Sequence, residues 1–267
     1  MNYSFMSFSC PKADLRTALR LAEQYGYQGF EPRIDSQHAH GIEPSMDAAA
    51  KAEVRAILAD TPVELCCLAS SIQIASRSKL SRTMDEARRV ISLCSELDIP
   101  RIRIFGGPID EEDTRSAAID RMARSLDALS QEIGDADITL CLETHDSWTE
   151  PAHAAAVMAR CQGRHAAINW DVMHTRLASY RSESEAAALL APYIRHVHIH
   201  GGTYRPSLRF LPVDGSVIDH AAVLRELQKI NYRGYLSGEW IGWDQPDYLK
   251  TEIQTMKKLE ATILCTQ

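Results

Sequence analysis

Residues 138–146 read ITLCLETHD, and three later stretches repeat their design: AAINWDVMH at 166–174, IRHVHIHGG at 194–202 and GYLSGEW at 234–240. Each is a short β-rich run, and in a strand successive side chains point to opposite faces. In the first, Ile138, Leu140 and Leu142 make an apolar face, and Thr139, Cys141 and Glu143 make the other. In the second, Ile168 and Trp170 oppose Asn169 and Asp171. In the third, Val197 and Ile199 oppose His196, His198 and His200; in the fourth, Leu236 and Trp240 oppose Tyr235, Ser237 and Glu239. The apolar faces suit packing beneath helices. The polar faces need an interior of their own, which a closed barrel provides.

Outward from these four runs the same alternation continues. The eight strand candidates are Tyr3–Ser9, Gly29–Arg33, Val63–Leu68, Arg101–Phe105, Ile138–Glu143, Ala166–Asp171, Ile194–His200 and Gly234–Glu239. Amphipathic helices fall between them, including Ala13–Gln24, Met84–Leu97, Ala117–Ile133 and Ala221–Ile230, whose apolar residues recur at helical spacing. Eight strand–helix units in 267 residues predict a single (β/α)₈ TIM-barrel domain over 1–267. An open doubly wound sheet would carry a Gly-rich phosphate turn after its first strand, and SFSCPKADL is no such turn.

The net charge of −7 argues against nucleic acid or an anionic membrane as the main partner. The 7 cysteines form no pair of C-x-x-C motifs, which predicts reduced thiols in a cytoplasmic protein. The N-terminus lacks a basic region followed by a sustained apolar run, and no stretch has the length of a membrane helix.

In a barrel of this kind the chemistry gathers at the C-terminal ends of the strands. Glu143, Asp171, His198 and Glu239 all sit at such ends on inward faces. Any one alone could be an ion-pair partner or a core residue. Four in register on neighbouring strands would be costly to bury unpaired, which predicts one divalent metal ion among them. Three oxygens and one nitrogen suit Mn²⁺, Mg²⁺, Co²⁺ or Zn²⁺, with Mn²⁺ the first expectation. His145 and His200 are candidates to reach a substrate, and His40, with His38, lies in a loop that could cover the mouth. His196 lies deeper and reads as a core or supporting histidine. Trp148 and Trp240 could wall the pocket or pack in the core, and Gly106 and Gly107 could admit a ligand or form a turn. Glu31 and Arg103 also point inward, and two isolated buried charges would be expensive, so they are expected to pair, directly or through one water, below the site.

At these residues the chain resembles the xylose-isomerase-like family of sugar isomerases and epimerases. The matching features are Glu143 in CLETH, the D-x-x-H of Asp171 and His174, the H-x-H ending at His198, Glu239 in GEW, the segment RIRIFGGP, and PVDGSVID followed by NYRGYLSGEW. Together they run from Gly26 to about Glu239. The resemblance implies a barrel, a divalent cation and a small sugar or cyclitol substrate. It also implies that Glu143 and Glu239 are ligands on opposite faces of the substrate, able to exchange protons with carbon. Asp171 and His198 would be plain ligands, His174 would bind a substrate oxygen, and Arg205 falls near a substrate-binding arginine of some ketose epimerases. Barrels of this kind often pair, which leaves a homo-oligomer open.

Three other functions share the scaffold. A sister branch holds abasic-site endonucleases with three metals, which need histidines ending strands three and four. Here those strands end in Cys66-Cys67-Leu68 and Ile104-Phe105-Gly106, and Asp214-Gly215-Ser216 lacks the second histidine of an Asp-x-His pair. A lyase acting on a keto-sugar would use the same enolate stabilisation. A non-catalytic sugar-binding protein would have no need of two proton-transferring glutamates.

Overall fold

The computed structural model describes residues 1–243 and 246–264. Its strands are β1 (Asn2–Met6), β2 (Gly29–Glu31), β3 (Glu64–Leu65), β4 (Leu68–Gln73), β5 (Arg101–Phe105), β6 (Thr139–Glu143), β7 (Ala166–Asp171), β8 (Ile194–Ile199), β9 (Gly201–Thr203), β10 (Arg209–Leu211) and β11 (Tyr235–Gly238). Nine of them form one parallel sheet in the order β3-β2-β1-β11-β8-β7-β6-β5-β4. The two ends of that order are halves of one barrel position. The Cys66 amide bonds back to the Phe30 carbonyl at 3.1 Å. Arg33 then bridges Ala69, with the Ala69 amide on the Pro32 carbonyl and the Ile34 amide on the Ala69 carbonyl, so β4 continues where β3 stops and the barrel closes. The single third strand expected at Val63–Leu68 is therefore two strands, interrupted at the fully buried Cys66 and Cys67.

The helices are α1 (Leu15–Tyr25), α2 (Ala48–Ala59), α3 (Leu80–Glu96), α4 (Arg115–Ile133), α5 (Pro151–Met158), α6 (Val172–Ala178), α7 (Glu183–Leu190), α8 (His220–Lys229) and α9 (Tyr248–Leu264). Their starts follow local capping chemistry. The Asp14 carboxylate takes the Thr17 amide at 2.8 Å, and the Thr114 hydroxyl takes that of Ala117 at 3.1 Å. Helix α3 begins four residues before Met84, the expected start. Of that first turn only Thr83 is buried, so the apolar pattern sets in after the helix does. Among the described residues no helix is long and apolar enough to cross a membrane.

Side-chain parity places two different environments on the two faces of the sheet. Leu140, Leu142, Ile168, Trp170, Val197, Ile199 and Leu236 join one large apolar cluster with the helices. The register Ser4–Ser237–His198–Asp171 puts a polar row on the other face. One bulge makes this possible in β8. Ile168 pairs with Ile194, yet Asn169 pairs with His196, which leaves Arg195 as the extra residue. Ile194 thereby joins the outer apolar cluster while His196, His198 and His200 all turn inward.

Beyond β8 the chain forms an antiparallel hairpin of β9 and β10 that the strand pattern did not announce. A side chain at Gly202 would place its Cβ 2.0 Å from Met173 Sδ, so the hairpin packs against α6 more closely than a larger residue would allow without moving Met173. Gly106 answers a second open expectation: its missing Cβ makes room for the indole of Trp148, 2.0 Å from where that atom would be. Trp148 is fully buried and its Nε1 donates to the Gly107 carbonyl at 2.9 Å, so this glycine pair receives a core tryptophan.

Candidate metal centre

Glu143 ends β6, Asp171 ends β7 and caps α6, His198 lies on β8, and Glu239 follows β11. Each offers one ligand atom, and these atoms all lie within 4.8 Å of one another; all four residues are buried. His198 Nδ1 is 2.8 Å from Glu143 Oε1 and 3.3 Å from Glu239 Oε2. The four residues read from strand parity thus meet at one point.

The donor set fits a divalent cation. Three carboxylates and an imidazole converge in a buried space, where unneutralised negative charge would be costly. Glu143 Oε2 has no hydrogen bond, and Arg103 Nε approaches it at 3.3 Å without hydrogen-bond alignment. Asp171 is held by two neighbours: Oδ1 accepts the His174 amide at 2.7 Å and Oδ2 lies 2.8 Å from His200 Nε2. Each carboxylate oxygen has a second lone pair free for a cation.

Electrostatics follow from this crowding. Burial works against the charged forms of Asp171 and Glu239, but adjacent histidines outweigh it and hold both below the usual carboxylate range. Burial likewise disfavours a charged His198, and the Glu31 and Glu143 carboxylates on either side override it, raising that imidazole well above its ordinary value.

Glu31 and Arg103 do not pair directly. Glu31 Oε2 lies 2.8 Å from His196 Nε2 and Oε1 lies 3.1 Å from His198 Nε2. Arg103 serves the opposite side, approaching Glu143, donating to the Ser70 carbonyl at 2.7 Å and lying 4.0 Å over the Phe105 ring. Both charges do point inward. Parity along a strand does not say which neighbour a long side chain turns toward around the barrel.

Of the residues expected to meet substrate, His174 stands beside the centre on α6, its ring Nδ1 hydrogen-bonded with the Tyr204 hydroxyl. Burial holds that ring below its ordinary pKa. His145 packs edge-on against it, with ring centroids 4.1 Å apart. Burial lowers the His145 pKa, but Asp146, 2.8 Å away, and then Glu143 and Asp171 lift it to about 9. His200 is fully buried and engaged with Asp171. Arg205 is exposed beyond β9, its backbone tied by the Thr203 hydroxyl. His40 holds its own loop: Nε2 is 3.2 Å from the Arg33 carbonyl and Nδ1 accepts the Ile42 amide at 3.0 Å. His38 Nδ1 lies 2.8 Å from the Ser7 hydroxyl. Trp240 is buried and packs against Trp243 and, edge-on, Tyr248.

Two residues near the centre escaped the sequence reading. Arg33 is buried and feels the charges of Glu239 and Glu143; it shares Glu31's parity, a signal that was present. Tyr204 belongs to the hairpin, where no periodicity marks it.

With the geometry in place, comparison with known proteins decides the lineage: residues 19–259 match the family model described as "Xylose isomerase-like TIM barrel". The chain belongs to that family. Among curated proteins, no match to the sequence is found. The fold recurs in solved structures at low identity. A D-tagatose 3-epimerase-like protein superposes with a TM-score of 0.81 at 17% identity, covering 100% of this chain and 99% of that one. An L-ribulose 3-epimerase gives 0.80 at 17% identity, covering 100% and 97%. The probable 3-DHS dehydratase AsbF involved in the petrobactin synthesis from Bacillus anthracis gives 0.79 at 17% identity, covering 96% and 99%. At such identity the likeness speaks for the xylose isomerase-like barrel alone.

Proposed function

We propose that the protein is a divalent-metal-dependent isomerase or epimerase of a sugar or cyclitol. The observation that carries this reading is the approach of two glutamates from separate strands to one atom: Glu143 and Glu239 lie 2.8 and 3.3 Å from His198 Nδ1. Two carboxylates about one point can each take and return a proton at carbon, one from either face. When bound among Glu143, Asp171, His198 and Glu239, a divalent cation such as Mn²⁺ supplies the positive charge that acidifies a C–H bond beside a carbonyl. Arg103 places a buried positive charge 3.3 Å from Glu143 Oε2. His174 and Tyr204 offer a coupled imidazole and hydroxyl to orient substrate oxygens, and Arg205 would contribute from the hairpin. The epimerases among the solved structures of this fold support the same reading.

One observation favours a second reading, elimination from a keto-sugar. His145 Nδ1 lies 2.8 Å from Asp146 Oδ1 and its ring packs edge-on against His174, and an imidazole backed by a carboxylate can deliver a proton to a departing hydroxyl. Incubating the protein and Mn²⁺ with a panel of ketoses and keto-cyclitols in deuterated water separates the two. Deuterium entering carbon without loss of a group supports isomerisation or epimerisation, and loss of water supports elimination. With cation bound and neither outcome for any member of the panel, the proposal would fall.

A further inference from the structure

We propose that Glu31 is a positioning residue that sets the tautomer of His198, so that Nδ1 rather than Nε2 faces the cation. This inference rests on the reading of His198 as a metal ligand. A carboxylate only accepts hydrogen bonds, so a Glu31 bonded to two imidazoles requires a proton on each facing nitrogen. Those nitrogens are Nε2 of His196, 2.8 Å from Oε2, and Nε2 of His198, 3.1 Å from Oε1. All three side chains are wholly buried, which leaves little room for a different arrangement. With Nε2–H committed to Glu31, Nδ1 is the nitrogen left to face Glu143 and Glu239; without a cation its proton would go to Glu143 Oε1, 2.8 Å away, and a bound cation would take the Nδ1 lone pair in that proton's place. The imidazole therefore spans two layers of the barrel interior, supported from below and free to ligate above. A carboxylate behind a ligating histidine fixes the ring and makes it a better donor. His196 has a subordinate part. By occupying Oε2 it keeps the Glu31 carboxylate from rotating away from His198.

Glu31, His196 and His198 also bring ligand atoms within 4.8 Å of one another, the spacing of a possible second metal position. Chemistry argues for hydrogen bonds there. An ion in that position would require His198 to give up Nε2–H while Nδ1 serves the first site. That makes a doubly ligating imidazolate, a further negative charge beside Glu31, Glu143 and Glu239. The observed separations of 2.8 and 3.1 Å are those of hydrogen bonds.

The test uses the full chain labelled with ¹⁵N in histidine and loaded with Zn²⁺. Long-range ¹H–¹⁵N correlation spectra report which nitrogen of each ring carries hydrogen. The expected result is Nε2–H on both His196 and His198, with His198 Nδ1 unprotonated; Nδ1–H on His198 in the loaded parent would overturn the proposal without any variant. Glu31→Gln keeps the shape but presents an amide N–H to one of the two rings, so Zn²⁺ affinity should fall about 10–100-fold. Parental affinity in that variant would also overturn it. So would a second equivalent of Zn²⁺ in the parent that disappears in His196→Ala, because Glu31 would then itself be a ligand. Failure of the functional reading looks different: Asp171→Ala and His198→Ala would both retain parental Zn²⁺ affinity, whatever Glu31 does.

Discussion

Arg103 Nε lies 3.3 Å from Glu143 Oε2, with both side chains 1% exposed, yet the two are not aligned as a hydrogen bond. The guanidinium is anchored instead on the Ser70 carbonyl and over Phe105, which leaves it a neighbouring charge for Glu143 rather than a clamp. Breaking a buried ion pair by removing one partner typically costs about 3–5 kcal/mol. Arg103→Met should therefore lose stability in that range in the presence of a chelator, and less with Mn²⁺, which would supply the missing positive charge. Thermal unfolding with EDTA and with Mn²⁺ measures both. Equal losses in the two conditions would show that no cation neutralises Glu143.

Glu143→Gln and Glu239→Gln preserve side-chain shape and one ligand oxygen but remove the base. Each should retain substantial Mn²⁺ binding while turnover falls about 10²–10⁴-fold. In an epimerisation the two should differ in solvent-proton exchange, since each serves its own face of the substrate. Near-parental turnover in both, with metal still bound, would refute the assignment and turn attention to His145 and His174.

Acid stability should carry the imprint of His40. Burial and nearby His38 push its pKa from 6.5 down to about 4, against the pull of the Arg33 carbonyl. Protonation would also displace the Ile42 amide from Nδ1. The folded pKa lies below the unfolded one, so the unfolded chain takes up the proton first as pH falls. The contribution of neutral His40 is complete above pH 6.5 and drains away as pH falls toward 4, to a total of about 3 kcal/mol. Urea unfolding at pH 7 and pH 4.5 should show a smaller acid loss in His40→Gln than in the parent. The same acid loss in both would rule out His40 as a source.

The hairpin should depend on its close approach to α6. In Gly202→Ala the new Cβ would lie 2.0 Å from Met173 Sδ and 3.2 Å from the Arg209 carbonyl. Overpacking of this kind costs about 1–3 kcal/mol. Displacing the hairpin should also separate Tyr204 from His174, raising KM more than it lowers kcat. Adding Met173→Ala should restore part of both losses. If the double variant is no better than Gly202→Ala alone, the contact with Met173 is not what holds the hairpin.

Much of this molecule follows from side-chain alternation. Parity along ITLCLETHD, AAINWDVMH, IRHVHIHGG and GYLSGEW suffices to turn Glu143, Asp171, His198 and Glu239 inward, because a strand offers only two faces and helices claim the apolar one. The spacing from Asp171 to His174 is also local, being that of an N-cap and the third residue of its helix. What lies outside a strand's own period needed the closed barrel. Whether Glu31 would meet Arg103 or His196 and His198 depends on how the strands are staggered around the axis, and that stagger is a property of the whole sheet. The bulge at Arg195 and the division of the third position at Cys66 and Cys67 are adjustments between neighbouring ladders. The first shows only as a change of phase between Ile194 and Val197, and the second leaves no mark on the hydrophobic pattern. The hairpin that carries Tyr204 to His174 is set by a glycine packed on Met173, a contact between segments that have no common periodicity. The sequence by itself determined which residues face the interior, since that is decided one strand at a time. Only the tertiary structure decided their partners, since a partner is chosen by distance across the barrel.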